Sequence, residues 1–192
     1  MKIEGLYIPA NFTIIEECYN RFNMRVQSFP PVLCDRPKIL VLGSMPGQRS
    51  LEMHQYYGHP QNHFWKIMGK LCNAGLEMPY QKRIVALQDA GIALWDVLQA
   101  CDRDGSLDGN ILKESEIAND LSGLLSDFPT IRAIGFNGGK AWLTFRRLIL
   151  PTLSSEITEH LALYPLPSTS PANARISYED KLKSWQVLEQ YL

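Results

Sequence analysis

Cysteine, net charge and long apolar runs are all scarce in this chain, and each scarcity excludes something. The four cysteines, Cys18, Cys34, Cys72 and Cys101, are widely spaced, with no CxxC pair and no cysteine–histidine cluster. That argues against a zinc or iron–sulfur site and for reduced, mostly buried thiols. Nineteen Lys and Arg against twenty Asp and Glu leave a net charge of -1. No global field draws the chain to nucleic acid, so any DNA contact requires a local basic patch and is salt-sensitive. The N-terminal region carries Glu4, Glu16 and Glu17 and no long apolar run, so neither a signal peptide nor a membrane span is expected, and the default is a cytoplasmic protein. Internal repeats, linkers and low-complexity segments are lacking too. No GxGxxG follows the first strand, which weighs against a dinucleotide-binding enzyme.

What is there is an ordinary globular composition, with 45% hydrophobic and 20% charged residues over 192 positions, enough for one domain with a proper core. The stretch Ile39 to Trp65 organises it. An apolar run stops at Gly43-Ser44-Met45-Pro46-Gly47, reading as a buried strand that ends in a tight turn whose backbone N–H groups are free for an anion or carbonyl. A loop with Tyr56, Tyr57, His59 and Asn62 follows, suited to holding a flat ring. Phe64, Trp65, Ile67, Met68, Leu71 and Cys72 then keep helical spacing.

From Lys38 onward, strand-length apolar runs alternate with amphipathic segments, which predicts a parallel sheet covered on both faces. Strands are expected at Lys38 to Gly43, Gly91 to Val97, Ile131 to Phe136 and Leu161 to Leu166. A helix starting near Pro79 turns Ile84, Val85 and Leu87 inward, and a helix after the polar loop Asp102 to Asn110 carries Ile117, Leu121, Leu124 and Leu125 as one stripe. A further helix carries Trp142, Phe145, Leu148 and Ile149; the last is opened by Ser177 and Asp180 as a capping pair and turns Leu182, Trp185 and Leu188 to the core. The fold class is α/β, a three-layer α/β/α sandwich with a central four-stranded parallel sheet. Three strand ends carry loops of unusual composition on one edge, where ligands bind in open α/β folds. Residues 1–26 read as an extension of unknown role ahead of a 27–192 domain, either packed through Tyr7, Phe12, Ile14 and Ile15 or absent if Met24 is the start.

Five blocks in order, GSMPG, QYYGHPQNHFW, GIALWDVL, FNGGKA and LPSTSPANAR, resemble the uracil-DNA glycosylase superfamily, in particular its hypoxanthine-DNA (deoxyinosine) glycosylase branch. The resemblance runs from about Gln27 to the C-terminus. It implies an enzyme that hydrolyses the N-glycosidic bond of deaminated bases in DNA, with hypoxanthine favoured and no metal or organic cofactor; no lysine sits in an obvious nucleophile position in these blocks, so a monofunctional enzyme is expected, and a monomer is the default. The mismatch-specific uracil glycosylases, similar in layout, place a catalytic asparagine in the first turn, where this chain has Met45. Many uracil glycosylases hold histidine or asparagine where this chain has Leu166. The resemblance therefore assigns catalysis to Asn62 of HPQN, with Asn137 of FNGGK as a second polar group, and the stacking ring to Tyr57.

Plainer roles stand beside these. Asn62 also suits the N-cap of the following helix, Asn137 a strand-to-helix turn, and His59 the ordering of its own loop. Gly43, Ser44 and the backbone at Met45 are expected to line the pocket floor. Trp95 and Asp96 fall near the base-reading position, where a carboxylate would accept the N1–H of hypoxanthine, with the alignment open by one residue. In the last loop Ser168 and Ser170 suit phosphates, Pro171 to Asn173 suit insertion into the duplex, and Arg175 suits the backbone. Lys140, Arg146, Arg147, Lys181 and Lys183 are candidates for the basic patch. Uracil excision and a catalytically idle DNA- or nucleotide-binding module on the same scaffold remain the rival readings.

Overall fold

The apolar strands alternate their side chains between two faces, and this alternation builds the layers. The computed structural model describes residues 24–192. Four strands, β2 (Ile39–Gly43), β3 (Ile92–Asp96), β6 (Ala133–Asn137) and β7 (Ala162–Leu166), form a parallel sheet in the order β3-β2-β6-β7. Ile39, Val41, Ile92 and Leu94 join one core with helices α2 (Phe64–Cys72), α3 (Tyr80–Asp89) and α7 (Tyr178–Trp185). Leu40, Leu42, Ala93 and Phe136 join a second core under α4 (Leu121–Asp127) and α5 (Gly139–Leu148). Two short helices, α1 (Gln48–Met53) and α6 (Ser155–His160), complete the described helical elements apart from 3-10 turns. Pro165 sits on β7, an edge strand, where a missing N–H is tolerated.

The chain leaves β2 for β3 on one side and later enters β6 on the other, so the connections diverge beside β2, the arrangement that opens a crevice at the carboxyl edge of a parallel sheet. The register aligns Gly43 with Asp96, Leu42 with Phe136, and Asn137 with Leu166. Asp96, Gly43, Asn137 and Leu166 therefore form one row along that edge.

A second sheet was not foreseen. Strand β4 (Leu98–Asp102) begins one residue after β3 and pairs antiparallel with β1 (Arg25–Gln27) and β5 (Ile117–Ala118). Its ladder starts at Arg25, ahead of the Gln27 boundary. Two burial expectations change with it. Ile117 lies on β5 and is exposed, leaving Leu121, Leu124 and Leu125 as the buried stripe of α4. Val85 of α3 is 53% exposed, while Leu87 is fully buried, because a 3.6-residue period cannot turn three positions out of four to one face. The last helix begins as expected: Ser177 Oγ accepts from Asp180 N at 3.1 Å and donates to its carboxylate at 2.8 Å. Tyr7, Phe12, Ile14 and Ile15, and Cys18, lie outside the described residues. Among the described residues no helix is long and apolar enough to cross a membrane.

Candidate active site

The carboxyl edge of the sheet opens into a cavity of about 500 Å³, within the range of small-molecule sites and large enough for a nucleobase. Its floor is formed by Gly43, Asp96 and Asn137 of the strand-end row. A Cβ built on Gly43 would lie 2.4 Å from Asp96 Oδ1, so only glycine leaves room for the Asp96 carboxyl over β2, with Tyr57 Oη 3.4 Å from the same point. Asp96 is 3% exposed. Burial, then the negative charge of Asp108, pushes its carboxyl up to about 8, against the opposing pull of Arg103.

Tyr57 holds a left-handed backbone at φ 55°, uncommon for a bulky side chain. Its ring stacks on Phe64 with centroids 3.8 Å apart, which fixes the ring plane and sends the hydroxyl to the floor, where burial raises its pKa further from neutrality. Asn62 stands at the cavity wall, and its Oδ1 accepts the N–H of Phe64 at 3.0 Å. The N-cap position itself is His63, so Asn62 stands one residue ahead of the place expected for it, yet its bond satisfies the first free N–H of α2 and locks the amide in place, leaving one oxygen lone pair and the NH₂ group for a ligand. The capping and ligand-facing roles of Asn62 are thus compatible. His59 is exposed, and its Nδ1 accepts from Gln61 N at 3.2 Å, a bond that orders its own loop.

Asn137 is engaged differently. Its Nδ2 donates to Thr169 Oγ1 at 2.9 Å and its Oδ1 accepts Thr169 N at 2.8 Å. Thr169, fully buried, also accepts His63 N at its carbonyl at 3.0 Å. Trp185 Nε1 donates to Pro167 O at 3.0 Å, and Lys181 Nζ to Asn173 O at 2.8 Å. The loop that carries Ser168, Ser170, Pro171 and Asn173 along the cavity is therefore tied to β6, α2 and α7. Arg175 is exposed beyond it and outside the cavity lining.

The first turn is held from the other side by the connection between β4 and β5, a wall the sequence reading passed over as a polar loop. Ser44 Oγ donates to Asp108 Oδ1 at 2.7 Å, Gln48 N to Ser106 Oγ at 2.9 Å, and Arg103 to the carbonyl of Pro46 at 2.5 Å. Burial raises the Asp108 carboxyl, with the Ser44 bond pulling the other way. Met45 packs its side chain with Leu98, Cys101 and Ile111, so it anchors the turn in an apolar cluster.

Two expectations fail on geometry. Trp95 is one residue before Asp96 and points to the opposite face of the sheet. Its Nε1 donates to Phe29 O at 3.1 Å, and it lines a separate depression beside Arg25 and Asn119. Three of the five candidate basic residues are already engaged. Lys140 and Arg147 both pair with the buried carboxylate of Glu116, Lys140 at 2.5 Å, and Lys181 is 1% exposed beneath the last loop. Arg146 lies over the Trp142 ring.

A model of the uracil DNA glycosylase superfamily matches residues 30–189, spanning the whole of the sheet and the cavity. The chain belongs to the uracil DNA glycosylase superfamily. Among curated relatives, the protein named hypoxanthine DNA glycosylase of Methanosarcina acetivorans is 37% identical over 163 residues, 84% of this chain and 96% of that one. Its namesake from Methanosarcina barkeri is 44% identical over 119 residues, 62% of this chain and 74% of the relative. The solution NMR structure of a proposed uracil DNA glycosylase from Methanosarcina acetivorans superposes with a TM-score of 0.72 at 36% identity, covering 88% of this chain and 99% of that one. Met45 and Leu166 are the two apolar positions where the resemblance leads one to expect polar groups. Both are packed into apolar clusters, Leu166 beneath the floor and against Gly135.

Proposed function

We propose that this member of the superfamily is a monofunctional DNA glycosylase that removes deaminated bases, hypoxanthine foremost, from DNA engaged by a single copy of the chain. The observation that carries the reading is Asn62: a cavity-lining amide fixed by the Phe64 N–H, in a chain whose first turn has the buried Met45 at its centre and its one hydroxyl, of Ser44, bonded to Asp108. The names of the two Methanosarcina relatives supply the substrate class.

The target nucleotide turns out of the duplex into the cavity, where Tyr57 offers a ring for stacking. Ser168, Ser170 and Asn173 stand along the rim for the strand backbone, and Pro171 is suited to the space the base leaves. Asn62 positions a water for attack on C1′. The C1′–N9 bond breaks with its electron pair passing to the purine, the water oxygen bonds C1′, and the proton released from water balances the charge on the leaving base. An amide is no general base, so its contribution is orientation. Lys181 is buried and hydrogen-bonded to Asn173 O, outside the cavity lining, which supports hydrolysis without a Schiff-base step.

The test is single-turnover strand scission, after alkaline cleavage, of duplexes bearing one deoxyinosine or one deoxyuridine. Cleavage at inosine that disappears in a folded Asn62→Ala variant supports the reading; no cleavage at either base overturns it. The apolar packing of Met45 and Leu166 favours one second reading, a binding module without activity. Its signature is selective binding of the damaged duplex with no base release, in wild type and Asn62→Ala alike.

A further inference from the structure

Asp96 Oδ2 and Tyr57 Oη, both on side chains lining the cavity, are buried and lack a protein hydrogen-bond partner; so does Arg103 Nη1 behind them. A buried ionised carboxylate leaves such neighbours unpaired only at a cost of roughly several kcal/mol, since charged acceptors form the stronger hydrogen bonds. Yet the phenol beside Asp96 makes no hydrogen bond to it, and the guanidinium of Arg103 turns to the carbonyls of Pro46 and Gly105, at 2.5 and 2.9 Å. The charged and titratable groups facing Asp96 are Asp108 and Arg103 from the connection after β4, and Tyr56 and Tyr57 from the loop before α2. Of these, Asp108 opposes ionisation of Asp96 and is itself anchored by Ser44.

We propose that Asp96 reads the extruded base as a neutral carboxylic acid, its O–H donating to the carbonyl oxygen that deamination creates and its C=O accepting the adjacent ring N–H. This rests on the deaminated-base reading above and names the group of that site that recognises the substrate. Deamination replaces an amine donor with a carbonyl acceptor and places a proton on the neighbouring ring nitrogen. A carboxylate offers acceptors alone and repels that carbonyl; the neutral acid offers one donor and one acceptor side by side. Hypoxanthine, xanthine and uracil present this edge, as guanine and thymine do, so the pairing rejects adenine and cytosine, the amines from which hypoxanthine and uracil arise. As the glycosidic electron pair enters the ring, negative charge grows on the same carbonyl oxygen, and the O–H bond strengthens there. Asp96 is thus a neutral donor in place of the ionised acceptor that sequence position alone suggests.

The experiment has two readouts across pH 6 to 9.5. One is single-turnover excision of deoxyinosine. The other is binding, by fluorescence anisotropy, to a duplex carrying 2′-fluoro-2′-deoxyinosine, whose fluorine suppresses cleavage, against a matched undamaged duplex. In wild type both excision and the binding preference should fall above the pH where Asp96 ionises, about 8, by about tenfold per unit. Asp96→Asn, which keeps a donor and an acceptor but does not titrate, should lose several-fold in rate at pH 6 and abolish that fall. Asp108→Asn should move the fall to lower pH, because the charge that opposes ionisation of Asp96 is gone. A preference for the inosine duplex that is flat or rising through this range, or a fall that persists unchanged in Asp96→Asn, overturns the role of Asp96 while leaving the glycosylase reading intact. No preference and no excision at any pH overturns both.

Discussion

The two walls of the cavity treat their polar groups in opposite ways. On the side of β6 and β7, polar side chains are turned inward and paired: both ends of the Asn137 amide close on Thr169, Lys181 closes on Asn173, and Trp185 on Pro167. On the side of β2 and β3, Tyr57 and Asp96 each keep a buried polar atom without a partner, and the Asn62 amide is held at one end only. A paired amide steadies the loop it holds, and an unpaired buried polar atom, as on Tyr57 and Asp96, raises the free energy of the empty site until a ligand satisfies it. Two asparagines that look alike in sequence thus stand differently at the same cavity: Asn137 lines it with both ends of its amide bonded to Thr169, and Asn62 lines it with its amide held at one end.

Substitutions that separate rate from stability test this contrast, beginning with the largest effect. Asn62→Ala should reduce single-turnover excision of deoxyinosine by about 10²- to 10³-fold, the range for losing one preorganised polar group. The lost cap should cost only about 1 kcal/mol in urea unfolding. Asn137→Ala should show the reverse weighting. Orphaning Thr169 N and Oγ1 should destabilise the fold by about 2–4 kcal/mol, with a rate loss that shrinks at lower temperature as the loop is retained. Equal effects of the two variants on rate, with neither affecting stability, would erase the distinction between the walls.

Gly43→Ala should cost about 1–3 kcal/mol, because its Cβ would have to displace the Asp96 carboxylate. It should also weaken binding of an inosine duplex far more than of undamaged DNA, checked by anisotropy. The pH dependence of stability probes the same unpaired side. Asp96 is raised to about 8 in the folded protein, so its contribution is fully present below its unfolded pKa near 4 and is lost as pH rises toward 8. The Tm of Asp96→Asn relative to wild type should therefore rise between pH 5 and pH 8, by on the order of 10 °C. A constant difference would place the Asp96 pKa near its ordinary value. Trp95→Phe should have the smallest effect, under about 1 kcal/mol with unchanged excision, since the indole faces away from the cavity and loses one bond to Phe29 O.

Much of this was legible in the chain because it is local. Period-two and period-3.6 patterning marked the strands of the parallel sheet and the helices that cover it, and the glycine turn after Ile39–Gly43 marked the edge where the cavity opens. The small antiparallel sheet was not legible. Strand β4 follows β3 after the single residue Val97, and β1 and β5 have three and two residues, too short for any period to register. With that sheet hidden, the Ser106 to Asp108 wall was hidden as well. Trp95 and Asp96 show the limit at one residue: the sequence placed both at a strand end, and only the register with Gly43 decides which faces the ligand.

By itself, then, the sequence determined the superfamily, the layered α/β architecture and the set of loops that form the site, because these depend on residue order and on short-range periodicity. Tertiary structure alone decided which polar groups are paired and which are left for a ligand. Partners such as Asn137 with Thr169, Lys140 and Arg147 with Glu116, and Ser44 with Asp108 lie from 24 to 64 residues apart along the chain, and no local pattern encodes a contact between side chains that only the folded sheet brings together.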